Sequence, residues 1–281
     1  MANLFLKFKV LLFVVIAVLL SGCTQFLFQP TSRHVITPER AGLSYQDHLF
    51  SAADGLQLHS WWLPAAGKAR ATVLYVHGNG QNISNHFGNV YWLPESGVNV
   101  LIFDYRGYGQ SEGQPSLPGA IADIELAVLQ ALELSGTSPV IVVSHSLGAS
   151  MSIHALARSE AKSRIAGAVF VSSFSDYQQV TRDVLSRSWL FWPFQYPLSW
   201  TINNDYAPKL SVAKLAPLPQ LYMHSPSDHI VNKKHSELLF ELAGEPKQFE
   251  QVRGGHNGVF NAEENRRLLL DTIEQWIESP Q

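Results

Sequence analysis

Short apolar runs recur along most of this chain and alternate with stretches of helical pattern. The runs span residues 71–76, 98–103, 139–143, 166–171, 218–223 and 248–252. Apart from the last, the runs are predominantly apolar, which is typical of strands that are covered on both faces. Strands of this kind, separated by helices, predict an α/β fold built on a mostly parallel sheet.

The amino-terminal part of the sheet is expected to differ. Asp54-Gly55 is a hairpin turn signal, and it separates two strand-like runs at residues 43–50 and 56–63. These runs predict an antiparallel hairpin at one end of the sheet. Helices are expected to begin near Pro118, Asn232 and Asn261, since each supplies a residue favoured at a helix start. Residues 41–281 are therefore predicted to form one domain.

Polar residues that could take part in catalysis follow several of the predicted strands. Asn79 lies just after the run at 71–76, Ser146 after 139–143, Asp228 after 218–223, and His256 after 248–252. Ligands of open parallel sheets bind at the carboxyl ends of the strands, so these side chains are expected to meet there. The chain order serine, aspartate, histidine is the order expected in an α/β-hydrolase.

Each of these residues has a predicted role in acyl transfer. A serine hydroxyl is a weak nucleophile, so Ser146 needs a base, and His256 would take its proton. Asp228 would hold the imidazole of His256 in the correct tautomer and stabilise its charged form. The backbone N–H groups of Leu147 and Asn79 would form the oxyanion hole.

The blocks His77-Gly78-Asn79, "DYRGYGQSEG" from Asp104, and "SHSLG" from Ser144, together with Asp228 and Gly254-Gly255-His256, resemble the α/β-hydrolase superfamily. They are most similar to its branch of membrane-associated serine hydrolases. The resemblance implies a three-layer α/β-hydrolase fold, hydrolysis of ester-type bonds, a cap and no cofactor. The sequence departs from the pattern at Ser144, where the family's nucleophile turn carries glycine.

Other acids and histidines compete for the catalytic roles. Asp176 and Asp205 are rival acids, but Asp228 ends a strand and lies 28 residues before His256. His77 is predicted to orient the oxyanion loop, and His145 to contribute only packing. His224 and His229 flank the acid and have no predicted role.

An aromatic-rich segment at residues 177–212 interrupts the alternation of strands and helices. We predict a short lid over the strand ends, with Trp189 and Trp192 contacting the substrate; the alternative is an ordinary pair of core helices.

The amino terminus has the pattern of a targeting segment. Lys7 and Lys9 precede an apolar run at residues 10–20, which predicts a signal peptide over residues 1–22. Residues 20–23 resemble the lipobox of bacterial lipoproteins, so Cys23 would carry lipid and residues 23–40 would form a linker. Thr24 resembles the residue found after the cysteine in outer-membrane lipoproteins, and the protein would then face the periplasm. An uncleaved membrane anchor is the alternative reading.

Several classes of function are excluded by the sequence. The net charge of −3 with scattered basic residues argues against nucleic-acid binding. The glycines of residues 107–113 are spaced one residue too far apart for a dinucleotide site, and neither HExxH nor a cysteine cluster indicates a metal site. Three readings remain: a hydrolase of small-molecule or lipid-like carboxylic esters or thioesters, a peptidase or amidase with the same triad, and a catalytically silent binding protein.

Overall fold

The computed structural model describes residues 27–278. Within this range the chain forms a single eight-stranded sheet in the order β1-β2-β4-β3-β5-β6-β7-β8. The strands are β1 (Gln46–Ser51), β2 (Gln57–Leu63), β3 (Ala71–Val76), β4 (Val98–Phe103), β5 (Val140–His145), β6 (Gly167–Val171), β7 (Gln220–His224) and β8 (Lys247–Gln251). Strands β1 and β2 form the predicted antiparallel hairpin, β2 pairs antiparallel with β4, and all remaining pairs are parallel.

Helices cover both faces of this sheet. Within the described residues they are α1 (Ile83–His86), α2 (Leu117–Leu134), α3 (Leu147–Arg158), α4 (Tyr177–Leu185), α5 (Gln195–Trp200), α6 (Lys234–Leu242) and α7 (Glu263–Glu278). The start of α2 follows the sequence signal closely, because Ser116 accepts a hydrogen bond from the N–H of Gly119 and Pro118 lies in the first turn.

Two apolar cores lie on opposite sides of the sheet. In β3, Leu74 and Val76 belong to the core that includes α2, α3 and α6, whereas Val73 and Tyr75 belong to the core that includes α1 and α7. Successive residues of a strand point to opposite faces, so a strand between two cores is apolar at most of its positions. This explains the continuous apolar runs and confirms the predicted three-layer fold class.

The parallel register aligns the carboxyl ends of the strands that precede the candidate site residues. His145 of β5 lies beside Val171 of β6, and Val171 lies beside Met223 of β7. His224 of β7 in turn lies beside Gln251 of β8. The loops after β5, β7 and β8 therefore leave the sheet at the same edge.

The described part of the predicted linker packs on the domain. The N–H of Gln81 donates to the carbonyl of Gln29 across 2.8 Å, and the N–H of Thr31 donates to the carbonyl of Gln81 across 3.0 Å. Phe28 is buried in the core. The backbone of the predicted linker is thus paired with the loop after β3 at Gln29 and Thr31.

The predicted lid segment forms α4 and α5 with short 3₁₀ turns around them. Tyr177 and Val180 of α4 are buried, whereas the aromatic side chains from Trp189 to Trp200 are exposed. No helix within residues 27–278 combines the length and apolar character needed to cross a membrane. The predicted signal peptide and Cys23 lie outside the described residues.

Candidate active site

Ser146 occupies a sharp turn between β5 and α3. Its backbone has φ 53° and ψ −118°, a conformation that residues other than glycine rarely adopt. The turn is held by the N–H of Ser146, which donates to the carbonyl of Val171 on the neighbouring strand across 2.8 Å. Strained backbone of this kind persists only where the surroundings impose it. Here it lifts the serine hydroxyl above the carboxyl edge of the sheet.

The residues on either side of Ser146 explain how this sequence tolerates the turn. A Cβ on Gly148 would lie 2.2 Å from the carbonyl oxygen of His77, so only glycine fits at the start of α3. Ser144, which replaces the family's glycine, is fully buried in β5. Its hydroxyl donates to the carbonyl of Val169 across 3.1 Å, so the additional polar group has a partner.

The three residues predicted as the triad come together in the structure. Nε2 of His256 lies 3.0 Å from Oγ of Ser146, and Nδ1 of His256 lies 2.7 Å from Oδ2 of Asp228. Both distances are within hydrogen-bonding range. Because the carboxylate only accepts, Nδ1 carries the hydrogen and Nε2 is free to accept the serine proton.

Asp228 is held in its charged form. Burial of the side chain opposes ionisation, but the hydrogen bond and charge of His256 and the N–H groups of Val231 and Ile230 lower the pKa of Asp228 to about 2. Those N–H groups donate to Oδ1 across 2.9 and 2.8 Å. Sequence analysis assigned no role to His224, yet its Nε2 lies 3.4 Å from Oδ2 of Asp228.

His145 has a position that the sequence did not reveal. Its Nε2 donates to the backbone carbonyl of His256 across 2.8 Å. Burial, together with the nearby His256, lowers the pKa of His145 to about 3, so the ring is neutral near pH 7. The contact joins residues 111 positions apart, and no local pattern could have indicated it.

The loop after β3 brings Asn79 to the same place. The side-chain oxygen of Asn79 accepts hydrogen bonds from the N–H groups of Gln29 and Gly80 and from the hydroxyl of Tyr108. These bonds fix the loop, and within the described residues the backbone N–H of Asn79 has no acceptor. Leu147 is the first residue of α3, so its N–H has no acceptor within the helix. Asn79, Leu147 and Ser146 line one cavity.

His77 supports this loop from below, as predicted. Its ring is fully buried, and burial lowers its pKa to about 3. Nδ1 lies 2.7 Å from the carbonyl of Gly78, while the hydroxyl of Tyr105 donates to the carbonyl of His77 across 2.6 Å. The neutral ring therefore orients the loop and takes no part in proton transfer at the serine.

An apolar cavity of about 320 Å³ opens beside Ser146. Its size is at the lower end of the range for small-molecule sites. The residues that line it are Leu27, Gln29, Asn79, Ser146, Leu147, Phe174, Val180, Thr181, Val184, Leu185, Ile202, Ile230 and Val231. Helix α4 and its neighbourhood thus cover the serine, but through residues that sequence analysis did not single out.

The tryptophans predicted to contact substrate lie elsewhere. Trp189 is 86% exposed and Trp192 is 60% exposed, and neither lines the cavity beside Ser146. They lie beyond the carboxyl end of α4. The last turn of this helix carries Val184 and Leu185, which do line the cavity. The geometry therefore does not bring these two predicted site residues to the serine.

Of the two rival acids, Asp176 has a structural role. Asp176 caps α4 by accepting from the N–H of Gln179 across 2.8 Å, and it forms an ion pair with Lys209 at 2.6 Å. Asp205 is exposed on the loop that follows α5. Within the described residues, neither acid approaches His256 as Asp228 does.

One group of side chains within residues 27–278 has ligand atoms close enough for a metal. His34, His59 and Asp104 offer atoms that lie within 4.8 Å of one another. Hydrogen bonds already engage the group: His34 Nε2 lies 3.4 Å from Asp104, and the N–H of Ile83 donates to Asp104 across 2.9 Å. Asp104 thus joins the end of β4 to the start of α1.

Comparison with known proteins places the chain among α/β hydrolases. A family model described as serine aminopeptidase, S33 (Hydrolase_4) matches residues 67–216. The uncharacterized protein YfhR of Salmonella typhi is 33% identical over 213 residues, which are 71% of this chain and 70% of that protein. The α/β-hydrolase domain-containing protein WAV2 of Arabidopsis thaliana is 27% identical over 229 residues, or 74% of this chain and 70% of that protein.

Solved structures share the fold at low sequence identity. An esterase of Pyrococcus furiosus superimposes with a TM-score of 0.71 at 18% identity, over 90% of this chain and 97% of the esterase. An acylaminoacyl peptidase of Pyrococcus horikoshii gives a TM-score of 0.64 at 15% identity, over 85% of this chain and 42% of the peptidase. The α/β-hydrolase fold predicted from the sequence is therefore confirmed.

Proposed function

The chain belongs to the serine aminopeptidase S33 (Hydrolase_4) family of α/β hydrolases, and on that premise we propose that it is a serine hydrolase acting on carboxylic esters or thioesters. Ser146 attacks the acyl carbon while His256 takes its proton. His256 then returns the proton to the leaving alcohol or thiol, and water releases the acyl group from the serine in a second cycle of the same kind. No cofactor enters this scheme.

The relationship of Ser146, His256 and Asp228 is the observation that carries the proposal. The contacts of 3.0 and 2.7 Å orient a base toward the serine and an acid toward the base. Asn79 and Leu147 line the same cavity, and their N–H groups would supply two donors for the oxyanion. A binding protein on this fold has no need for such an arrangement.

The cavity favours an ester over a peptide with a free amino terminus. An α-ammonium group in an apolar site needs a carboxylate partner, because an unpaired charge is costly to bury. Among the described residues, no aspartate or glutamate lines either cavity that contains Ser146. Lining residues such as Phe174, Val180 and Ile202 suit an apolar acyl group instead.

We further propose that Cys23 carries the lipid anchor predicted from the sequence, so that the enzyme acts at a bacterial envelope membrane, on the periplasmic side of the outer membrane. The support is the lipobox-like sequence Leu20-Ser21-Gly22-Cys23, which contains the single cysteine of the chain. Two acyl chains or more would hold the protein firmly, whereas one chain binds only marginally.

Labelling with a fluorophosphonate tests the proposed reaction. The wild-type protein should be labelled once, at Ser146, and should hydrolyse p-nitrophenyl esters faster than aminoacyl p-nitroanilides. Faster cleavage of the anilides would favour the aminopeptidase activity named in the family description. Absence of both label and turnover in a folded protein would favour the silent binding protein.

A further inference from the structure

A continuous run of large apolar side chains is exposed on the segment that joins α4 to α5 and on α5 itself. We name this set the aromatic surface; it consists of Trp189, Leu190, Phe191, Trp192, Phe194, Tyr196 and Trp200. Single exposed apolar residues are common, but a contiguous group of this size marks an interaction site. Residues 189–200 contain no charged side chain; from outside this range, the guanidinium of Arg182 lies over the ring of Tyr196, 5.7 Å from its centroid.

We infer that the aromatic surface docks on a lipid bilayer and lies at the level of the lipid headgroups. Trp and Tyr favour that level because their rings combine an apolar body with one polar group. Three of the seven residues are tryptophan, and Trp189 and Trp200 are 86% and 68% exposed. The inference concerns binding alone and holds whichever bond the active site cleaves.

The position of Leu27, at the start of the described residues, favours a membrane as the occupant of the aromatic surface. Leu27 lines the cavity beside Ser146 together with Val184 and Leu185, only a few residues before Trp189. The chain therefore enters the domain on the same side as the aromatic surface. Cys23 precedes Leu27 by four residues, which can span at most about 14 Å.

This short tether brings lipid near the aromatic surface under both readings of the amino terminus. If Cys23 carries acyl chains, the membrane lies within that reach of the cavity. If the apolar run at residues 10–20 remains as an anchor, it also ends only a few residues before Leu27. A domain held so close to a bilayer must turn some face toward it, and the face at the tether carries the aromatic surface.

The aromatic surface is also fixed relative to the active site. The guanidinium of Arg187 donates to the carbonyls of His229 and Ile230, with 2.9 Å to the second. Ile230 lines the cavity, and its own N–H donates to Asp228. Docking through Trp189 and its neighbours would therefore orient the whole site with respect to the membrane.

Tryptophan quenching by brominated lipid tests the inference on the full-length protein. The protein is reconstituted in phosphatidylcholine–phosphatidylglycerol vesicles whose acyl chains carry bromine, and its emission is compared with that in unbrominated vesicles. Bromine quenches indoles on contact. Trp61, Trp62 and Trp92 are buried and Trp276 packs against the core, so these four should contribute an unquenched background.

We expect the emission of the wild-type protein to be quenched, and the quenching to be lost when Trp189, Trp192 and Trp200 are all replaced by serine. These side chains are exposed, so the fold should tolerate the change, and far-UV circular dichroism checks it. The control replaces Leu49 and Leu129 by serine; both are exposed but lie on β1 and α2. This control should retain the quenching.

Equal emission of the vesicle-bound wild type in brominated and plain lipid would overturn the inference. Quenching that persists in the triple variant would do the same. Loss of a cross-linked dimer in the triple variant, without quenching in the wild type, would show that a second copy covers the aromatic surface. None of these readouts depends on turnover, so failure here is distinct from failure of the proposed hydrolase activity.

Discussion

The imidazole of His145 donates a hydrogen bond to the backbone carbonyl of His256 across 2.8 Å. His145 directly precedes the proposed nucleophile, and His256 is the proposed base. The position of the base is thus tied to the same strand that presents the serine. This bond connects the loop after β8 to the end of β5, so the spacing of serine and base does not depend on the loop alone.

Replacement of Ser146 by alanine should abolish fluorophosphonate labelling and lower ester turnover by about 10⁴-fold or more, because the acyl-enzyme route is removed. Ser144→Ala is a matched control two residues away. It removes the hydroxyl that donates to Val169, costs about 1 kcal/mol of stability, and should leave the label in place. Label on Ser144 in the Ser146→Ala protein would contradict the assignment.

Replacement of Asp228 by asparagine should lower turnover by about 10⁴-fold, since the amide favours the wrong tautomer of His256. The fold should survive because Oδ1 can still accept from the N–H groups of Ile230 and Val231. Asp205→Asn changes an exposed rival acid and should retain full activity. Rates of p-nitrophenyl acetate hydrolysis measure both variants, and a comparable loss in Asp205→Asn would contradict the choice of acid.

The strands could be predicted from the sequence because burial on both faces leaves little room for polar residues. The runs at 71–76 and 98–103 coincide with β3 and β4 residue for residue. The triad could be located for a related reason, since its members stand just beyond such strands. Topology alone then brings the side chains to one edge of the sheet.

The cavity lining and the support of the base could not be read in this way. The contact of His145 with His256 depends on how two distant loops close, and sequence periodicity does not encode that. The positions of Trp189 and Trp192 could not be predicted for a different reason. Apolar character shows that Trp189 favours a non-aqueous environment, but it does not say whether that environment is a substrate cavity or another surface.

Truncation of a residue that lines the cavity should change substrate specificity, whereas truncation of an exposed tryptophan should not. Leu185→Ala should raise KM for long-chain p-nitrophenyl esters more than for the acetyl ester, because each Å² of lost apolar contact is worth about 25 cal/mol. Trp189→Ala should leave KM unchanged for water-soluble esters of both lengths. A selective effect of Trp189→Ala would restore its predicted contact with substrate.

Replacement of Cys23 by serine should release the protein from the membrane fraction in its processed form. The soluble protein should keep its esterase activity, since Cys23 lies outside the domain that holds Ser146. Fractionation after expression, with incorporation of labelled palmitate, measures the outcome. If the wild-type protein takes up no labelled palmitate, or the Cys23→Ser variant takes it up as well, the lipid anchor at Cys23 is wrong.

Buried neutral histidines should make the fold sensitive to mild acid. Burial lowers the pKa of His145 from 6.5 to about 3, so the unfolded chain binds a proton there that the folded chain refuses. The stability from this neutral ring is fully present above pH 6.5 and is lost as the pH falls toward 3. One such proton contributes a slope of up to about 1.4 kcal/mol per pH unit to the free energy of unfolding.

His145→Asn should therefore reduce the slope by about this amount between pH 6 and pH 4, as measured by urea unfolding at several pH values. His229→Asn, which replaces an exposed ring, is measured beside it as the matched control. An unchanged slope in His145→Asn would show that the ring accepts a proton without cost in the folded protein, and that the bond to His256 does not rest on a neutral imidazole.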